Sequence, residues 1–418
     1  MLSEKGLQAL CGSGWGPSEE QSLLIEEILE AAREGRKVCF LIQGEPGSGK
    51  TYVALLTLLR ALNDSSLPGK GNRAVLGYRN NRLLNTLRRV FRECAPGLDV
   101  PIWFYAPPGG KGLAVGDPQS ETFERFCVVL CDEAQRLSRD NIQVILHRGP
   151  VVAFFYDERQ ILNEEEEGRT ENFKKEAERL GFEVKEWNLQ GIYRVLGGRA
   201  YHDFVERLLT EPRSARLPAN MPYEFRVFSD IREMLDALRR KAQKGWKVAL
   251  VAAFTEAPGD REKPTGKTPK NLRIGYPLYS GFERYKGLGL DIYWLMDERD
   301  QYPRFWYGGE SNQLTHCASI YGCQGFEADY VGVVWGRDLV WRGEDWDLGE
   351  ACEDTVGYKK RSLKQLMEEA RNGDREARKL ARTLLINRYR IFLTRGILGT
   401  FVYREDDETL EFLRSLCS

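Results

Sequence analysis

The chain has 418 residues, of which 42% are hydrophobic and 29% charged, and its formal net charge is −1. This composition provides enough apolar residues for the cores of two or three domains. It excludes a chain that is basic over its whole surface, so any nucleic-acid site must be a local patch.

The 9 cysteines include no Cys-x-x-Cys pair, which argues against a zinc ribbon and against a disulfide framework. The start of the chain lacks a basic segment followed by a long apolar one, as a signal peptide would have. No apolar stretch reaches the ~18 residues that a membrane helix needs. We therefore expect a soluble, cytoplasmic protein in a reducing compartment, with no membrane association.

Short apolar runs alternate with helical patterns along the chain, which is typical of an α/β protein with parallel sheets. In the first half, the patterns predict a helix at 18–33, a strand at 38–43, a helix from 50, and strands at 74–77, 126–131 and 151–156. In the second half, they predict strands at 224–228, 247–254, 329–335, 389–393 and 400–403, and helices at 231–241 and 355–386. Three prolines between 212 and 222 mark a change of composition, so we expect domains at 1–210 and 211–418.

A Gly-x-x-x-x-Gly-Lys-Thr segment lies between a predicted strand and a predicted helix. The backbone N–H groups of such a loop surround phosphates, and the helix N-terminus adds partial positive charge. The segment predicts an ATP site in which Lys50 bridges the β- and γ-phosphates and Thr51 ligates Mg²⁺. A chance glycine turn is the alternative, which the flanking strand and helix disfavour. The expected nucleotide contacts are Gly44, Pro46, Gly47, Ser48, Gly49, Lys50 and Thr51.

Polar residues follow two later buried strands, at the edge where parallel sheets bind ligands. Asp132 and Glu133 are adjacent carboxylates, which repel each other unless a cation is near. We expect Asp132 to orient Mg²⁺ and its waters, and Glu133 to be the general base on the attacking water. A surface pair in a loop is the alternative. Gln160 could report the presence of a γ-phosphate, with an ordinary turn as an equal alternative.

Two further features have competing interpretations. Gln21 fits a capping box with Ser18, and its amide could equally recognise adenine. Six arginines and no acid lie between residues 73 and 92, which favours contact with a phosphate backbone over a solvated helix face. Aromatic residues such as Phe305 and Trp306 could stack on bases or belong to the core. The arginines of the predicted helix are Arg79, Arg82, Arg88, Arg89 and Arg92.

Five segments form an ordered set along the chain: 41–51 with the phosphate loop, 129–135 (Val-Leu-Cys-Asp-Glu-Ala-Gln), 154–160 (Phe-Phe-Tyr-Asp-Glu-Arg-Gln), 319–333 with Gln-Gly-Phe-Glu, and 387–396 with Leu-Thr-Arg-Gly. The set resembles superfamily 1 helicases and, more narrowly, the Schlafen group 3-like DNA/RNA helicase domain, over about residues 36–405. The resemblance implies two tandem RecA-like domains with ATP in the cleft between them.

The same resemblance implies roles for individual residues. It makes Gln21 the adenine contact, Gln160 the γ-phosphate sensor and Glu327 the ribose contact. It makes Arg194 and Arg395 the arginine fingers. It also places two residues near nucleic acid, Ser319 and Gln324.

At several positions the chain departs from the pattern of the wider superfamily, which weakens the expectation of helicase activity more than that of ATPase activity. General superfamily 1 helicases usually have His and Lys where this chain has Tyr321 and Gln324, and Asn where it has Ile192. About thirty residues separate the arginine-rich helix from the strand that ends at Asp132 and Glu133, too few for a folded insertion of helicase size. We expect an ATP- and Mg²⁺-dependent helicase or translocase on single-stranded DNA or RNA. The alternative is an ATP-driven switch that captures protein partners in a larger complex without unwinding.

Overall fold

The structure is a computed structural model that describes residues 16–68, 73–79, 84–85, 87–88, 101–105, 112–118, 120, 123–191, 195–253, 272–274, 292–295, 301–306, 308–324, 328–352, 354–357 and 359–417. The chain divides into two compact units. The first consists of residues 1–161 and 165–193, and the second of residues 162–164 and 194–418.

A parallel six-stranded sheet, in the order β3-β2-β4-β5-β1-β6, forms the centre of the first unit. Its strands are β1 (Val38–Gly44), β2 (Ala74–Tyr78), β3 (Ile102–Phe104), β4 (Val128–Asp132), β5 (Val151–Tyr156) and β6 (Glu183–Leu189). Its helices are α1 (Glu19–Arg33), α2 (Lys50–Asn63), α3 (Arg139–Leu146) and α4 (Thr170–Arg179).

The central strands of this sheet are apolar and buried because helices cover both faces. Helices α3 and α4 pack on the face that carries Leu41 and Phe154, and α1 and α2 pack on the opposite face. The outer strand β6 differs, because Glu183, Glu186 and Asn188 are exposed on it.

A parallel four-stranded sheet, in the order β7-β15-β12-β8, forms the centre of the second unit. The strands of this unit are β7 (Glu224–Phe228), β8 (Val248–Ala252), β9 (Leu272–Ile274), β10 (Ile292–Trp294), β11 (His316–Cys317), β12 (Ala328–Trp335), β13 (Leu339–Arg342), β14 (Asp345–Leu348) and β15 (Gly396–Arg404). Its helices are α5 (Gly198–Thr210), α6 (Ile231–Gln243), α7 (Gln301–Trp306), α8 (Ile320–Cys323), α9 (Leu363–Arg371), α10 (Arg375–Leu393) and α11 (Asp407–Ser415).

The smaller sheets of this unit are β11-β10-β9 and the hairpin β13-β14. Helix α6 packs on the main sheet through Met234 and Leu238, against β12 and β15 residues such as Phe401. Helix α5 belongs to this unit, since the Tyr201 hydroxyl donates to the Leu393 carbonyl at 2.7 Å. Apart from residues 162–164, the chain passes from the first unit to the second at 193/194, whereas the sequence predicted a boundary at 210/211.

The α/β class with parallel sheets is confirmed, as are the strands at 151–156 and 224–228. The predicted strand at 389–393 is wrong, because these residues are the last turns of the long helix α10. A short, fully buried apolar run does not distinguish a strand from a buried helix face. The single helix expected at 355–386 is two helices, separated where Gly373 has φ +99° and Asp374 caps α10. Across the described stretches, no helix is both long and apolar enough for a membrane crossing.

Candidate functional site

Two glycines bound the loop between β1 and α2. Gly49, directly before α2, has φ +88°, which favours glycine, and a Cβ on it would lie 2.5 Å from Nε2 of Gln21. A Cβ on Gly44, the last residue of β1, would lie 2.4 Å from Oγ of Ser48 and 3.3 Å from Cβ of Leu189. Small residues at both positions leave the loop backbone free to approach a bound phosphate.

Two polar side chains hold this loop from inside. Lys50 Nζ donates to the carbonyl of Gly44 at 2.6 Å and to that of Glu45 at 3.1 Å, so its ammonium group lies within the loop. Gln21 Nε2 donates to the Ser48 carbonyl at 3.2 Å, and its Oε1 accepts from the Ser18 N–H at 3.1 Å. Both halves of the predicted capping box are thus present. The same amide also touches the phosphate loop, and its adenine role stays a prediction.

Asp132 ends β4 beside the start of α2. Burial first, and then the neighbouring Glu133 carboxylate, raises the pKa of Asp132 to about 7. The Thr51 hydroxyl and the Lys50 ammonium oppose this rise because both favour the ionised carboxylate. The structure thus brings together Thr51 and Asp132, which were expected to share a metal, and it leaves the carboxylate short of positive charge.

Tyr78 is a further residue of this edge. It lies directly opposite Asp132 in the β2–β4 pairing, and its side chain is fully buried. Burial, followed by the charges of Asp132 and Glu133, raises the pKa of the Tyr78 phenol, while the nearby Thr51 hydroxyl opposes the rise. Sequence reasoning missed Tyr78 because the predicted strand stopped one residue before it.

In the part of the chain that the structure describes, three buried polar atoms at this edge lack a hydrogen bond of good geometry, namely Ser48 Oγ, Tyr78 Oη and Asp132 Oδ2. Buried polar atoms are normally hydrogen-bonded. All three of these atoms lie either on the phosphate loop or beside Thr51 and Asp132. Mg²⁺ takes oxygen ligands and binds through one or two carboxylates together with substrate phosphates. The residues present therefore fit a nucleoside triphosphate with Mg²⁺.

A chain of amide and carboxylate contacts runs from Glu133 to Gln160. Gln135 Nε2 donates to Glu133 Oε2 at 2.5 Å, and Gln135 Oε1 accepts from the Asp157 N–H at 3.4 Å. Gln160 Nε2 then donates to Asp157 Oδ2 at 3.1 Å. Glu133 itself has φ +53°, a strained backbone for a residue with a side chain. The expected base and the expected sensor are therefore linked through Gln135, a residue that sequence reasoning quoted without giving it a role.

The segment after β5 also reaches the phosphate loop. Arg159 Nη2 lies 3.0 Å from Glu45 Oε1, and Asp157 Oδ1 accepts from the Arg159 N–H at 3.0 Å. These contacts fix the turn that carries Gln160 relative to the loop.

The arginines near β2 have different surroundings. Burial, and then the charge of Arg136, lowers the pKa of the Arg79 guanidinium, which lies 5.8 Å from the centre of the Phe104 ring. Arg88 donates through Nε and Nη2 to the Ile102 carbonyl, so this arginine supports β3. The nucleic-acid role of Arg79 stays a prediction.

In the second unit, three expected residues lie near one another. Ser319 precedes α8 and Gln324 follows it, and both are buried. Arg395 follows α10, is 2% exposed, and donates through Nε to the Ile391 carbonyl at 3.1 Å. Its charge opposes the rise that burial causes in the pKa of the Cys323 thiol, a residue of α8. Among the described residues, the amide of Gln324 has no hydrogen-bond partner on either of its polar atoms.

Some sequence expectations are resolved and others lie outside the described residues. Phe305 and Trp306 are 2% and 1% exposed, so they belong to the core rather than to a base-stacking surface. Arg82, Arg194 and Glu327, for which roles were predicted, lie outside the described residues.

Residues 37–406 match the family model described as "Schlafen group 3, DNA/RNA helicase domain". No curated protein sequence matches the chain. Among solved structures, arterivirus nonstructural protein 10 (helicase) in complex with DNA is 12% identical with a TM-score of 0.36, and the match covers 93% of this chain and 65% of that one. The same viral helicase without DNA is 14% identical, with coverage of 93% and 64% and a TM-score of 0.35.

A third structure, the PRRSV helicase, is 10% identical with a TM-score of 0.34 and coverage of 92% and 55%. The chain thus spans less than two thirds of the length of these viral proteins.

Proposed function

The chain belongs to the Schlafen group 3 DNA/RNA helicase domain family, and from this membership we propose that it is an ATP-dependent, superfamily 1-like helicase or translocase that couples ATP hydrolysis to nucleic-acid binding. The observation that carries the proposal is the edge of the first sheet, where the phosphate loop, Thr51, Asp132 and Glu133 are adjacent. A family match alone would leave open whether this chain kept the hydrolytic residues.

The proposed roles follow from the contacts at this edge. Backbone N–H groups of the loop and the Lys50 ammonium bind the phosphates of ATP. Thr51 and Asp132 hold Mg²⁺, which supplies charge neutralisation for the phosphoryl group being transferred. Glu133, oriented by Gln135, takes the proton of the attacking water. Gln160 contacts the γ-phosphate or that water, and Gln21 is proposed as the adenine contact.

Residues of the second unit complete the proposal. As the family resemblance implies, we take both units to be RecA-like and hydrolysis to need residues from each of them. Arg194 and Arg395 would supply transition-state charge, and Glu327 would contact the ribose. Single-stranded DNA or RNA would contact Arg79 and Arg82 in the first unit, and Ser319 and Gln324 in the second.

An ATPase assay across a nucleic-acid panel tests this proposal. Turnover of Mg²⁺·ATP is measured alone and with single-stranded DNA, single-stranded RNA and duplex, at several salt concentrations, because contacts to phosphates weaken with salt. We expect at least one single strand to raise turnover and Lys50→Ala to be inactive. Turnover that no nucleic acid changes would refute the coupling. A chain that hydrolyses no ATP under any of these conditions would refute the whole proposal.

A second candidate function is an ATP-driven switch that captures a protein partner. It is favoured by the net charge of −1 and by Tyr321, which stands where general superfamily 1 helicases have His. The Tyr321 hydroxyl donates to Asp354 Oδ2 at 3.0 Å, so this side chain serves an internal contact of the second unit. Partner capture that requires ATP and survives nuclease treatment would support the switch, whereas loss of capture on nuclease treatment would contradict it.

A further inference from the structure

A buried group of three side chains connects distant segments of the second unit. The group, called here the Arg388 cluster, consists of Arg388, Asp354 and Tyr321. Arg388 Nη2 forms an ion pair with Asp354 Oδ2 and donates to the Tyr321 hydroxyl at 3.3 Å. The Tyr321 hydroxyl in turn donates to the same Asp354 oxygen at 3.0 Å. Arg388 Nη2 also donates to the Leu162 carbonyl at 2.9 Å.

The cluster is a poor arrangement if stability alone is considered. Arg388 and Asp354 are 0% exposed, and Tyr321 is 5% exposed. Removing a charge pair from water costs about as much as its mutual attraction returns, so apolar residues of similar volume often serve at least as well. Arg388 Nε and Nη1 are also buried, and no described residue is their hydrogen-bond partner. The gain from this cluster must therefore lie in the geometry that it fixes.

The contacts of the Arg388 cluster involve chain segments that contain or adjoin residues proposed for function. Tyr321 lies in α8, between Ser319 and Gln324. Leu162 follows Gln160 by two positions in the chain, and the segment Leu162–Glu164 is part of the second unit.

A second contact holds that segment. Arg361 binds the Glu164 carboxylate through two guanidinium nitrogens, with Nε at 3.1 Å from Oε2 and Nη2 at 2.8 Å from Oε1. Such bidentate pairs fix orientation as well as distance.

Arg388 itself lies in α10, whose end leads to Arg395. Helix α8 packs against α10 and is bound to it through the Tyr321 hydroxyl at Arg388. A short helix held in this way moves with the longer helix. A displacement of the Ser319–Gln324 segment would therefore also displace Arg395, which follows the end of α10, and Leu162.

We infer that Tyr321, Asp354 and Arg388 are positioning residues that join the Ser319–Gln324 segment to the chain segment following Gln160 and to the end of α10. Through them, a strand bound at Ser319 and Gln324 acts on the chain directly after Gln160, at Leu162, and on the end of α10 that precedes Arg395. This inference rests on the proposed function for its catalytic consequence, but the connection itself is a property of the protein without ligands.

Tyr321→Phe tests the connection because it removes one hydroxyl and keeps the ring. Amide hydrogen exchange is measured by mass spectrometry on the full chain without ligands, for peptides covering 160–168 and 316–324. We expect faster exchange in both peptides, because Arg388 Nη2 contacts both the Tyr321 hydroxyl and the Leu162 carbonyl. Tyr223→Phe is the matched control, since its buried hydroxyl pairs with Thr400 Oγ1 at 2.7 Å and donates to the Gly396 carbonyl at 3.3 Å, neither of which belongs to the Arg388 cluster. Unchanged exchange at 160–168 in Tyr321→Phe would overturn the inference.

The catalytic consequence is measured in the same variants. Tyr321→Phe should keep basal ATPase turnover and nucleic-acid affinity. Its stimulation of turnover by a single strand should be about 2- to 30-fold smaller than that of the wild type. The affinity is measured by fluorescence anisotropy with a labelled oligonucleotide. Stimulation equal to that of Tyr223→Phe would overturn the coupling. A wild-type chain that no nucleic acid stimulates would refute the proposed function, while the exchange experiment would still decide the connection.

A double variant separates positioning from simple structural support. Arg388→Met with Asp354→Leu replaces the pair by apolar side chains of similar size, so it should fold with a thermal midpoint near or above that of the wild type. If the cluster acts by positioning these segments, this stable variant should lose the stimulation of ATPase turnover by a single strand. If the double variant is stimulated like the wild type, the cluster only fills space and the inference fails.

Discussion

Replacing Asp132 by asparagine should stabilise the first unit in buffer without metal or nucleotide. The carboxylate is 1% exposed, its Oδ2 has no well-formed hydrogen bond, and Glu133 lies next to it. Asparagine has nearly the same shape and carries no charge, so the substitution removes the repulsion and most of the burial penalty. We therefore expect Asp132, which is proposed to bind Mg²⁺, to lower the free energy of unfolding when Mg²⁺ is absent.

The size and pH dependence follow from the pKa of Asp132, which the folded state raises from 3.8 to about 7. Because the folded-state pKa is the higher one, ionisation opposes folding. The penalty is absent below about pH 4, grows between pH 4 and 7, and is complete above pH 7. At about 1.4 kcal/mol per pH unit, the upper limit is about 4 kcal/mol. Asparagine retains part of the cost of burying a polar group, so we expect a gain of about 1–3 kcal/mol at pH 8.

Differential scanning calorimetry in EDTA at pH 8 and pH 5 measures the effect, with about 2–4 °C expected per kcal/mol for a unit of this size. Asp157→Asn is the matched control, because the Asp157 oxygens accept from Arg159 and Gln160 and the same change should destabilise. With saturating Mg²⁺·ATP, the order of wild type and Asp132→Asn should reverse, since a ligand of the native state stabilises it. A destabilised Asp132→Asn at pH 8 in EDTA, or an equal gain at both pH values, would refute the reasoning.

Four further changes test the first unit and Arg395. Glu133→Gln should bind a fluorescent ATP analogue normally and lose about 10²- to 10⁴-fold in turnover, and normal turnover would exclude Glu133 as the base. Gln135→Ala should lower kcat about 10- to 100-fold with KM unchanged, because Glu133 loses its orienting amide, and an increase in KM alone would contradict this role. Gly49→Ala should weaken nucleotide binding at least about tenfold, since the new Cβ would meet Gln21 as well as strain the backbone. Gly35→Ala is the control for backbone strain alone, because Gly35 has φ +66° and no described atom lies within 4 Å of its Cβ position. Arg395→Ala should keep nucleotide affinity and cost about 10³-fold in rate, and a loss below about tenfold would remove it from the site.

The first half of the candidate site was predictable because its determinants are contiguous. A strand, a glycine-rich turn and a helix follow one another at Gly44 to Thr51, and Asp132 ends a strand whose apolar run is plain in the sequence. Their meeting at one edge follows from the parallel arrangement alone. The loop and the carboxylates therefore need no knowledge of distant contacts.

The residues that sequence reasoning missed depend on neighbours in space. Tyr78 matters because β2 lies beside β4, and the order of strands is not visible in either segment. Gln135 matters because its amide spans Glu133 and Asp157, from two different strand ends. The strand predicted at 389–393 failed for a related reason, since the burial that makes the run apolar comes from the packing around α10.

The outer strand β6 has a consequence for how copies of the protein behave at high concentration. An open sheet edge offers unpaired N–H and C=O groups to any other extended chain. On β6, Glu183, Glu186 and Asn188 are exposed, and Lys185 Nζ lies 2.5 Å from Glu27 Oε1 on α1. A second β6 alongside would bring like charges together and bury them. The first unit therefore carries its own protection against strand-to-strand aggregation on this edge.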